Sequence, residues 1–215
     1  MNLEKIRKVA QREEIDYQFL LSMLSEYARP RDKISEWLKS GELIRVKKGL
    51  YVFGKQISQT SYSLEVLANL IYGPSAISLN YALSFYGLIP ERVTTITCIT
   101  NKRNKKFSTP VGEFTYQYLN PLKYPIDIEL FESSKQKHFL IASPEKALCD
   151  HLYLTDKSIQ ISTLDEIDKY LFYDLRIDET ILQKFKMNKL NHISKAYEDP
   201  RLILLANYIK KWKVS

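Results

Sequence analysis

The sequence is poor in glycine and cysteine, and this scarcity narrows the classes of protein to which it can belong. Six glycines stand against 15 tyrosines, and such an aromatic-rich composition argues against a disordered chain. The two cysteines, Cys98 and Cys149, lie far apart and outside any CxxC pair, as is typical of reduced core residues in a cytoplasmic protein. The first residues contain no apolar segment resembling a signal peptide, so we expect a cytoplasmic location.

Long hydrophobic runs are also scarce. The longest uncharged run, residues 66–90, is interrupted by Gly73-Pro74 and contains several serines and asparagines. A membrane-spanning helix needs about 20 predominantly apolar residues. The pattern therefore predicts two packed helices with a turn between them, and we expect no membrane partner.

Catalytic and metal-binding motifs are lacking as well. The three histidines have no HxxxH or HExxH spacing, and the chain has no P-loop and no GxSxG sequence. Asp127 and Glu129 would share one face of a predicted strand, but the sequence places no basic partner beside them, and an exposed polar face is the common reason for such alternation. Asp150 and His151 are interpreted as a pair on a helix surface. We predict no enzyme, no metal and no cofactor; a Mg²⁺-dependent nuclease or transferase using Asp127 is the catalytic alternative.

Positive charge, in contrast, is concentrated near the start of the chain. The first 56 residues carry 12 basic and 8 acidic side chains, which is more than half of the net charge of +7. Asn2 can cap a first helix that ends near Gln11, and Asp16 can cap a second helix that follows a turn at residues 13–15. A modest basic excess is compatible with nucleic-acid binding but does not establish it.

A third helix and a hairpin complete this region. Pro30 marks the start of the helix and Gly41 its end, with a turn at Lys47-Lys48-Gly49 between two apolar strands. Three helices followed by a hairpin with a basic tip are typical of a winged helix-turn-helix, which we assign to residues 1–54. A small helical bundle that binds another protein is the alternative.

The third helix buries Ile34, Trp37 and Leu38 and leaves a polar face outward. Arginine can bind the guanine edge with two hydrogen bonds, whereas wing lysines are suited to phosphate. A second basic cluster could extend this surface, meet an acidic partner, or be a solvated loop. The predicted DNA-binding residues are Arg29, Arg31, Lys33, Ser35, Lys39, Arg45, Lys47 and Lys48, and the second cluster comprises Arg92, Lys102, Arg103, Lys105 and Lys106.

The rest of the chain alternates between helix and strand patterns after a polar linker at residues 55–61. We predict helices at 62–72, 75–86 and 143–154 and strands at 93–100, 106–108, 113–119, 126–131 and 138–141. The tail is predicted to be helical at 163–173, 178–186, 188–197 and 200–213. The expected fold class is α/β (α+β): a winged helix-turn-helix, then a mixed α/β domain over residues 61–215 with a small sheet and a helical tail.

Three segments resemble a known family. The segment KISEWLKSGELIRVKKGLYVFG (33–54) is similar to the helix-and-wing signature of AbiEi-type antitoxins. SAISLNYALSFYGLIPERV (75–93) and ASPEKALCDHLYL (142–154) are similar to two further motifs of that family, in the same order. Within the last segment, Glu145, Lys146 and Asp150 match the family's pattern. The tail after about residue 160 matches no family motif.

The resemblance implies a function. AbiEi-type antitoxins belong to type IV toxin–antitoxin systems, which act in abortive infection as phage defence. It implies that residues 1–54 repress the chain's own promoter by binding repeats in double-stranded DNA. It also implies that the remainder counteracts a nucleotidyltransferase-like toxin without forming a stable complex with it. A protein-interaction module that does not recognise a DNA sequence is the alternative.

Overall fold

The computed structural model describes residues 2–134, 137–154 and 161–214, and within them the protein is a mixed α/β fold with two sheets. The first part of the chain forms α1 (Leu3–Ala10), β1 (Glu14–Asp16), α2 (Tyr17–Met23), α3 (Pro30–Ser40), β2 (Leu43–Lys47) and β3 (Leu50–Phe53). The middle forms α4 (Leu64–Ile71), β4 (Ser75–Ile77), α5 (Leu79–Phe85), β5 (Ile96–Thr100), β6 (Lys105–Thr109), β7 (Gly112–Tyr118), β8 (Ile128–Ser134), β9 (Lys137–Ala142) and α6 (Pro144–Leu154). The tail forms α7 (Leu164–Lys169), a π-helical turn (Tyr170–Asp174), α8 (Glu179–Leu182), α9 (Met187–Tyr197) and α10 (Pro200–Trp212).

Local signals set the ends of the first three helices, as the sequence predicts. The side chain of Asn2 accepts a hydrogen bond from the N–H of Lys5 at 3.1 Å, and Asp16 accepts one from the N–H of Phe19 at 2.7 Å. Pro30 occupies the first turn of α3, where its missing N–H costs no hydrogen bond. Gly41 ends the helix with φ of 75°, a left-handed conformation that glycine adopts without steric penalty.

The first sheet has the order β1-β3-β2 with antiparallel pairing, and it corrects one prediction. The predicted turn at residues 13–15 is largely a strand, because Ile15 pairs with Tyr51. Strand β3 lies in the middle and is buried on both faces. Tyr51 and Phe53 pack against α1, α2 and α3, whereas Leu50 and Val52 belong to the core of the second sheet.

The second sheet has six strands in the order β6-β7-β5-β4-β9-β8. Pairings β5–β7 and β4–β9 are parallel, and the others are antiparallel. The predicted helix at 75–86 is partly wrong, because Ser75–Ile77 form a strand between β5 and β9 in the middle of the sheet. The uncharged run therefore folds as helix, central strand and helix. Among the described residues, no helix combines the length and the apolar character needed to cross a membrane.

The tail is helical as predicted, but the helix predicted at 178–186 is reduced to the short α8, and the helix predicted at 163–173 ends in the π-helical turn. Helix α7 begins with a reciprocal cap, in which the side chains of Thr163 and Glu166 each accept a hydrogen bond from the other residue's backbone N–H. The tail packs around α6, which contacts both α9 and α10. Its helices bury Leu190, Tyr197 and Leu205 in the core of the second sheet.

The polar segment between the two sheets is held by buried carboxylates. Glu13 accepts hydrogen bonds from the N–H groups of Gln59 (3.0 Å) and Thr60 (2.9 Å), and Glu14 accepts one from the N–H of Ser63 (2.7 Å). Arg7 pairs with Glu13 at 2.7 Å, and both side chains are buried. The segment predicted as a linker is thus tied to the strand that precedes α2.

Candidate nucleic-acid interface

A groove lies between α3 and the β2–β3 hairpin, and basic side chains line it. Its volume is about 910 Å³, and Arg31, Arg45 and Lys48 contribute the positive charge. The one acid among the described residues that line it is Asp16, whose carboxylate is occupied in capping α2. Tyr51 forms part of the wall, and the guanidinium carbon of Arg45 lies 6.0 Å from its ring centroid. The fold therefore brings Arg31, Arg45 and Lys48, three of the predicted site residues, together in one concave surface.

The exposed face of α3 carries a polar stripe. Ile34 and Trp37 are buried in the core of the first sheet, as predicted. Arg31, Ser35 and Lys39 recur every four residues and are all exposed, so they share one face. The hydroxyl of Ser35 donates to the carbonyl oxygen of Arg31 at 2.9 Å. This spacing and exposure are what a helix needs if it is to contact an extended polyanion.

Two predicted residues at the flanks of the stripe are paired with acids of the same helix. Arg29 is exposed and lies 3.9 Å from Asp32, and Lys33 lies 2.9 Å from Glu36. The hydrogen bond to Glu36 raises the pKa of Lys33 above its usual value. Exposed pairs of this kind contribute little to stability, so a phosphate group can displace them.

The two adjacent lysines of the hairpin, Lys47 and Lys48, point in different directions. Lys48 is exposed and makes no hydrogen bond or ion pair within the described residues, whereas the ammonium of Lys47 donates to the carbonyl oxygen of Ile71 at the end of α4. The β2–β3 register shifts between Arg45 and Lys47, and a bulge of this kind re-aims the side chains that follow it. Burial, and next the charge of Lys102, lower the pKa of Lys47. Lys47 therefore faces away from the groove.

The second basic cluster is split by the fold. Lys102 donates to the carbonyl oxygen of Gly73 at 2.5 Å, beside the contact made by Lys47. Arg103 and Lys105 are exposed next to it, and Lys106 lies 3.8 Å from Glu113 on the neighbouring strand. Arg92 precedes β5 whereas Lys102 follows it, so these residues lie at opposite ends of that strand.

The residues that match the third family motif form a buried network. Lys146 and Asp150 are fully buried and lie 3.2 Å apart, and the hydroxyl of Ser78 donates to Asp150 at 2.6 Å. Tyr197 donates to Asp150 and accepts from Lys146. The interpretation of Asp150 and His151 as a surface pair is wrong. Asp150 is buried, and Nδ1 of His151 lies 2.7 Å from the hydroxyl of Tyr170.

A signal for this network is present in the sequence. Lys146 and Asp150 stand four residues apart, which places them one turn apart on the same helix face. Glu145, in contrast, accepts a hydrogen bond from the N–H of Lys186 at 2.6 Å and so joins α6 to the start of α9. Three charged side chains of this helix are thus each satisfied internally, and the side chains of Lys146 and Asp150 are completely buried.

The other candidate for chemistry, Asp127 with Glu129, is a charged surface cluster. The expectation that no basic group lies beside them is wrong, because Lys189 of α9 lies 3.6 Å from Asp127 and 2.5 Å from Glu129. His192 lies 3.9 Å from Asp127. Sequence alone could not supply this partner, since about 60 residues separate it from the strand. Among the described residues, no group of three or more His, Cys, Asp or Glu side chains is arranged to hold a metal ion.

Comparison with known proteins adds no relative. No protein-family model matches the chain, and no curated protein is significantly similar to it.

Proposed function

We propose that the chain is a DNA-binding transcriptional autorepressor and antitoxin of a type IV toxin–antitoxin, or abortive infection, system. In this proposal the elements α1 to β3 are a winged helix-turn-helix with α3 as recognition helix and the β2–β3 hairpin as wing. The order helix, strand, helix, helix, strand, strand, with β3 central, supports this assignment. The observation that carries the proposal is the groove in which Arg31, Arg45 and Lys48 face solvent together.

Each element has a separate task. The polar stripe of α3 enters the major groove, where Arg31 is suited to the O6 and N7 atoms of guanine. Lys48 and Lys39 are suited to phosphates, which fix the position of the protein without reading sequence. Arg29 and Lys33 add charge at the flanks of the helix. Lys47 is left out of the proposed contacts because its ammonium is bound to α4.

The region from residue 61 onward, here called the second half, carries the antitoxin activity in this proposal. Lys146 and Asp150 support it as part of its core. Their burial leaves no surface with which to touch a toxin. Neutralisation of the nucleotidyltransferase-like toxin is therefore assigned to the exposed surface of the second half, without a stable complex.

Fluorescence anisotropy tests DNA binding directly. The full-length protein is titrated onto the duplex from upstream of its own gene and onto a scrambled duplex of equal length, over a salt series. A preference of about a thousandfold or more for the native duplex is the expected result. The variant R31A/R45A/K48A should lose that preference, while K184A/K186A/K195A, which removes three charges from exposed lysines of the tail, should keep it.

Co-expression separates the two activities. The variant R31A/R45A/K48A should derepress its promoter and still rescue cells from the toxin encoded beside it. A full-length variant is preferable to a truncation, because Leu50 and Val52 contribute to the core of the second half. Equal, weak binding to both duplexes, together with intact rescue, would reject the repressor and favour a protein-interaction module.

A further inference from the structure

The wing meets the loop that joins β5 to β6, here called the basic loop, at the carboxyl end of α4. Lys47 donates to the carbonyl of Ile71 and Lys102 to that of Gly73, so two lysines from distant parts of the chain bind the same helix end. A helix carboxyl end carries a partial negative charge and favours cations there. The ammonium group of Lys102 also lies 5.6 Å from the ring centroid of Tyr72.

The basic loop is held in place by further hydrogen bonds. The hydroxyl of Tyr72 donates to the carbonyl of Arg103 at 3.3 Å, and the hydroxyl of Thr100 donates to the carbonyl of Pro74 at 2.7 Å. At its far end, Asn104 accepts from the N–H of Tyr118 at 2.7 Å. The backbone that carries the basic side chains is therefore fixed to α4 and to β7.

The wing is fixed to the same body. Val46, Leu50 and Val52 of the hairpin are buried in the core of the second sheet. The distance between the wing tip and the basic loop is thus set by apolar packing and does not depend on a flexible linker. Arg103 and Lys105 are exposed, and their side chains make no hydrogen bond or ion pair within the described part of the chain.

We propose that Arg103 and Lys105 form a second phosphate-binding surface that continues the DNA footprint past the wing. The inference rests on the proposed DNA binding by α3 and the wing. It assigns to the second half of the chain a role in holding the duplex. Because these contacts reach only phosphates, they raise affinity for every sequence equally.

The composition of the surface favours DNA over an acidic protein. Its unpaired side chains, Arg103 and Lys105, are carried on a fixed backbone. The preceding residue, Lys102, binds the end of α4 beside Lys47 of the wing, so the loop is anchored next to the wing. Lysine is depleted in protein–protein interfaces, which rely on a buried apolar and aromatic centre. Phosphate binding has no such need, since it exchanges condensed counterions for fixed cations.

The test compares R103Q/K105Q with K186Q/K195Q in the full-length protein. Both variants lose two exposed cations, but in the control Lys186 directly precedes α9 and Lys195 lies on it. Helix α9 contacts β8 through Lys189, at the opposite edge of the sheet from β6. Affinity for the native duplex is measured between 50 and 200 mM salt. Each phosphate contact contributes about 0.9 to the slope of log K against log salt, so the wild type should lose about tenfold more affinity over this range than R103Q/K105Q.

Each outcome has a distinct meaning. A reduced slope in R103Q/K105Q alone, with unchanged preference for the native duplex, supports the inference. Equal slopes in the wild type and R103Q/K105Q overturn the inference and leave the repressor proposal intact. An equal reduction of the slope in R103Q/K105Q and K186Q/K195Q has the same meaning. If the wild type shows no preference for the native duplex but R103Q/K105Q still lowers the slope, the surface binds DNA and the repressor proposal fails. Unchanged DNA binding with lost toxin rescue would overturn the inference in favour of a protein-binding surface.

Discussion

Positive charge is held in opposite ways in two regions of this protein. The ammonium of Lys146 is fully buried and has three partners: Asp150, the hydroxyl of Tyr197 and the carbonyl of Lys123. Arg31 and Lys48 line an open groove, and their side chains have no carboxylate partner among the described residues. A buried cation must be compensated inside the protein, because desolvation penalises its charged form.

The difference teaches how to interpret residues that match a family motif. Lys146 and Asp150 lie in a segment that resembles a family motif, yet all their polar contacts are internal. Their match to a motif is therefore explained by a role in the core. The charges of Arg31, Arg45 and Lys48 in the groove, in contrast, face solvent and are available to a ligand.

The largest expected effect comes from breaking the buried network. Lys146→Met leaves Asp150 buried without its cation, and removing one partner of a buried pair typically costs about 3–5 kcal/mol. The free energy of unfolding, measured with urea, should fall by that amount. Lys39→Met, on the exposed face of α3, should change it by no more than about 0.5 kcal/mol. A stable K146M protein that fails to rescue cells from the toxin would instead give Lys146 a direct functional role.

A smaller effect is expected from Glu13, the buried carboxylate that joins the two halves. Burial acts to raise its pKa, but the hydrogen bonds and charge of Arg7 and the N–H groups of Thr60 and Gln59 outweigh this and lower it. A carboxyl group whose pKa is lower in the folded state stabilises the protein above the pKa of the unfolded chain. That stabilisation is lost as pH falls through the folded-state pKa.

The variant E13Q tests this carboxylate. It should lower the free energy of unfolding by about 1–3 kcal/mol at pH 7, because charge-assisted hydrogen bonds become neutral ones. Its unfolding should also depend less on pH below about 4.5 than that of the wild type. Glu26→Gln, an exposed control, should have little effect on either quantity. A pH dependence shared by all three proteins would exclude Glu13 as its source.

Local signals in the sequence predict part of the fold well. Asn2, Asp16 and Gly41 mark helix ends by their own backbone preferences, and the structure has helix ends at these residues. The strand at Ser75–Ile77 is missed because its conformation is imposed by pairing with β5 and β9, which lie far along the chain. An apolar run beside Gly73-Pro74 is compatible with either helix or buried strand, so pairing decides between them.

The candidate site is likewise predicted only where local signals decide the position of a side chain. Exposure of Arg31 and Arg45 follows from helix and strand periodicity, and both line the groove. The turn of Lys47 toward α4 depends on a bulge and on the approach of a distant helix, neither of which leaves a local signal. One usable signal is Leu50 to Phe53, four successive apolar residues, since uninterrupted runs are typical of strands buried on both faces.

Within the groove, Arg31 is expected to carry sequence recognition. Arg31→Lys keeps the charge but loses the fork that binds a guanine edge, so preference for the cognate base pair should fall by about 1–3 kcal/mol. The slope of affinity against salt should remain unchanged. Arg29→Lys, at the exposed start of the same helix, is the matched control and should leave base preference intact. Selection from a randomised duplex pool measures both, and unchanged preference in R31K would remove Arg31 from base recognition.

The smallest expected effect distinguishes Lys47 from Lys48, the two adjacent lysines of the wing. It compares an internally bound cation with an exposed one within a single turn. Lys48→Gln should remove one phosphate contact. Between 50 and 200 mM salt, the wild type should then lose about threefold more affinity than K48Q. Lys47→Gln should leave this salt dependence unchanged, because its ammonium already serves the end of α4. Lys47→Gln should instead lower the free energy of unfolding by about 0.3–1 kcal/mol, because the cation at the end of α4 is lost. If K47Q instead altered the salt dependence and K48Q did not, Lys47 would have to leave α4 when DNA binds, and the wing would not be preorganised.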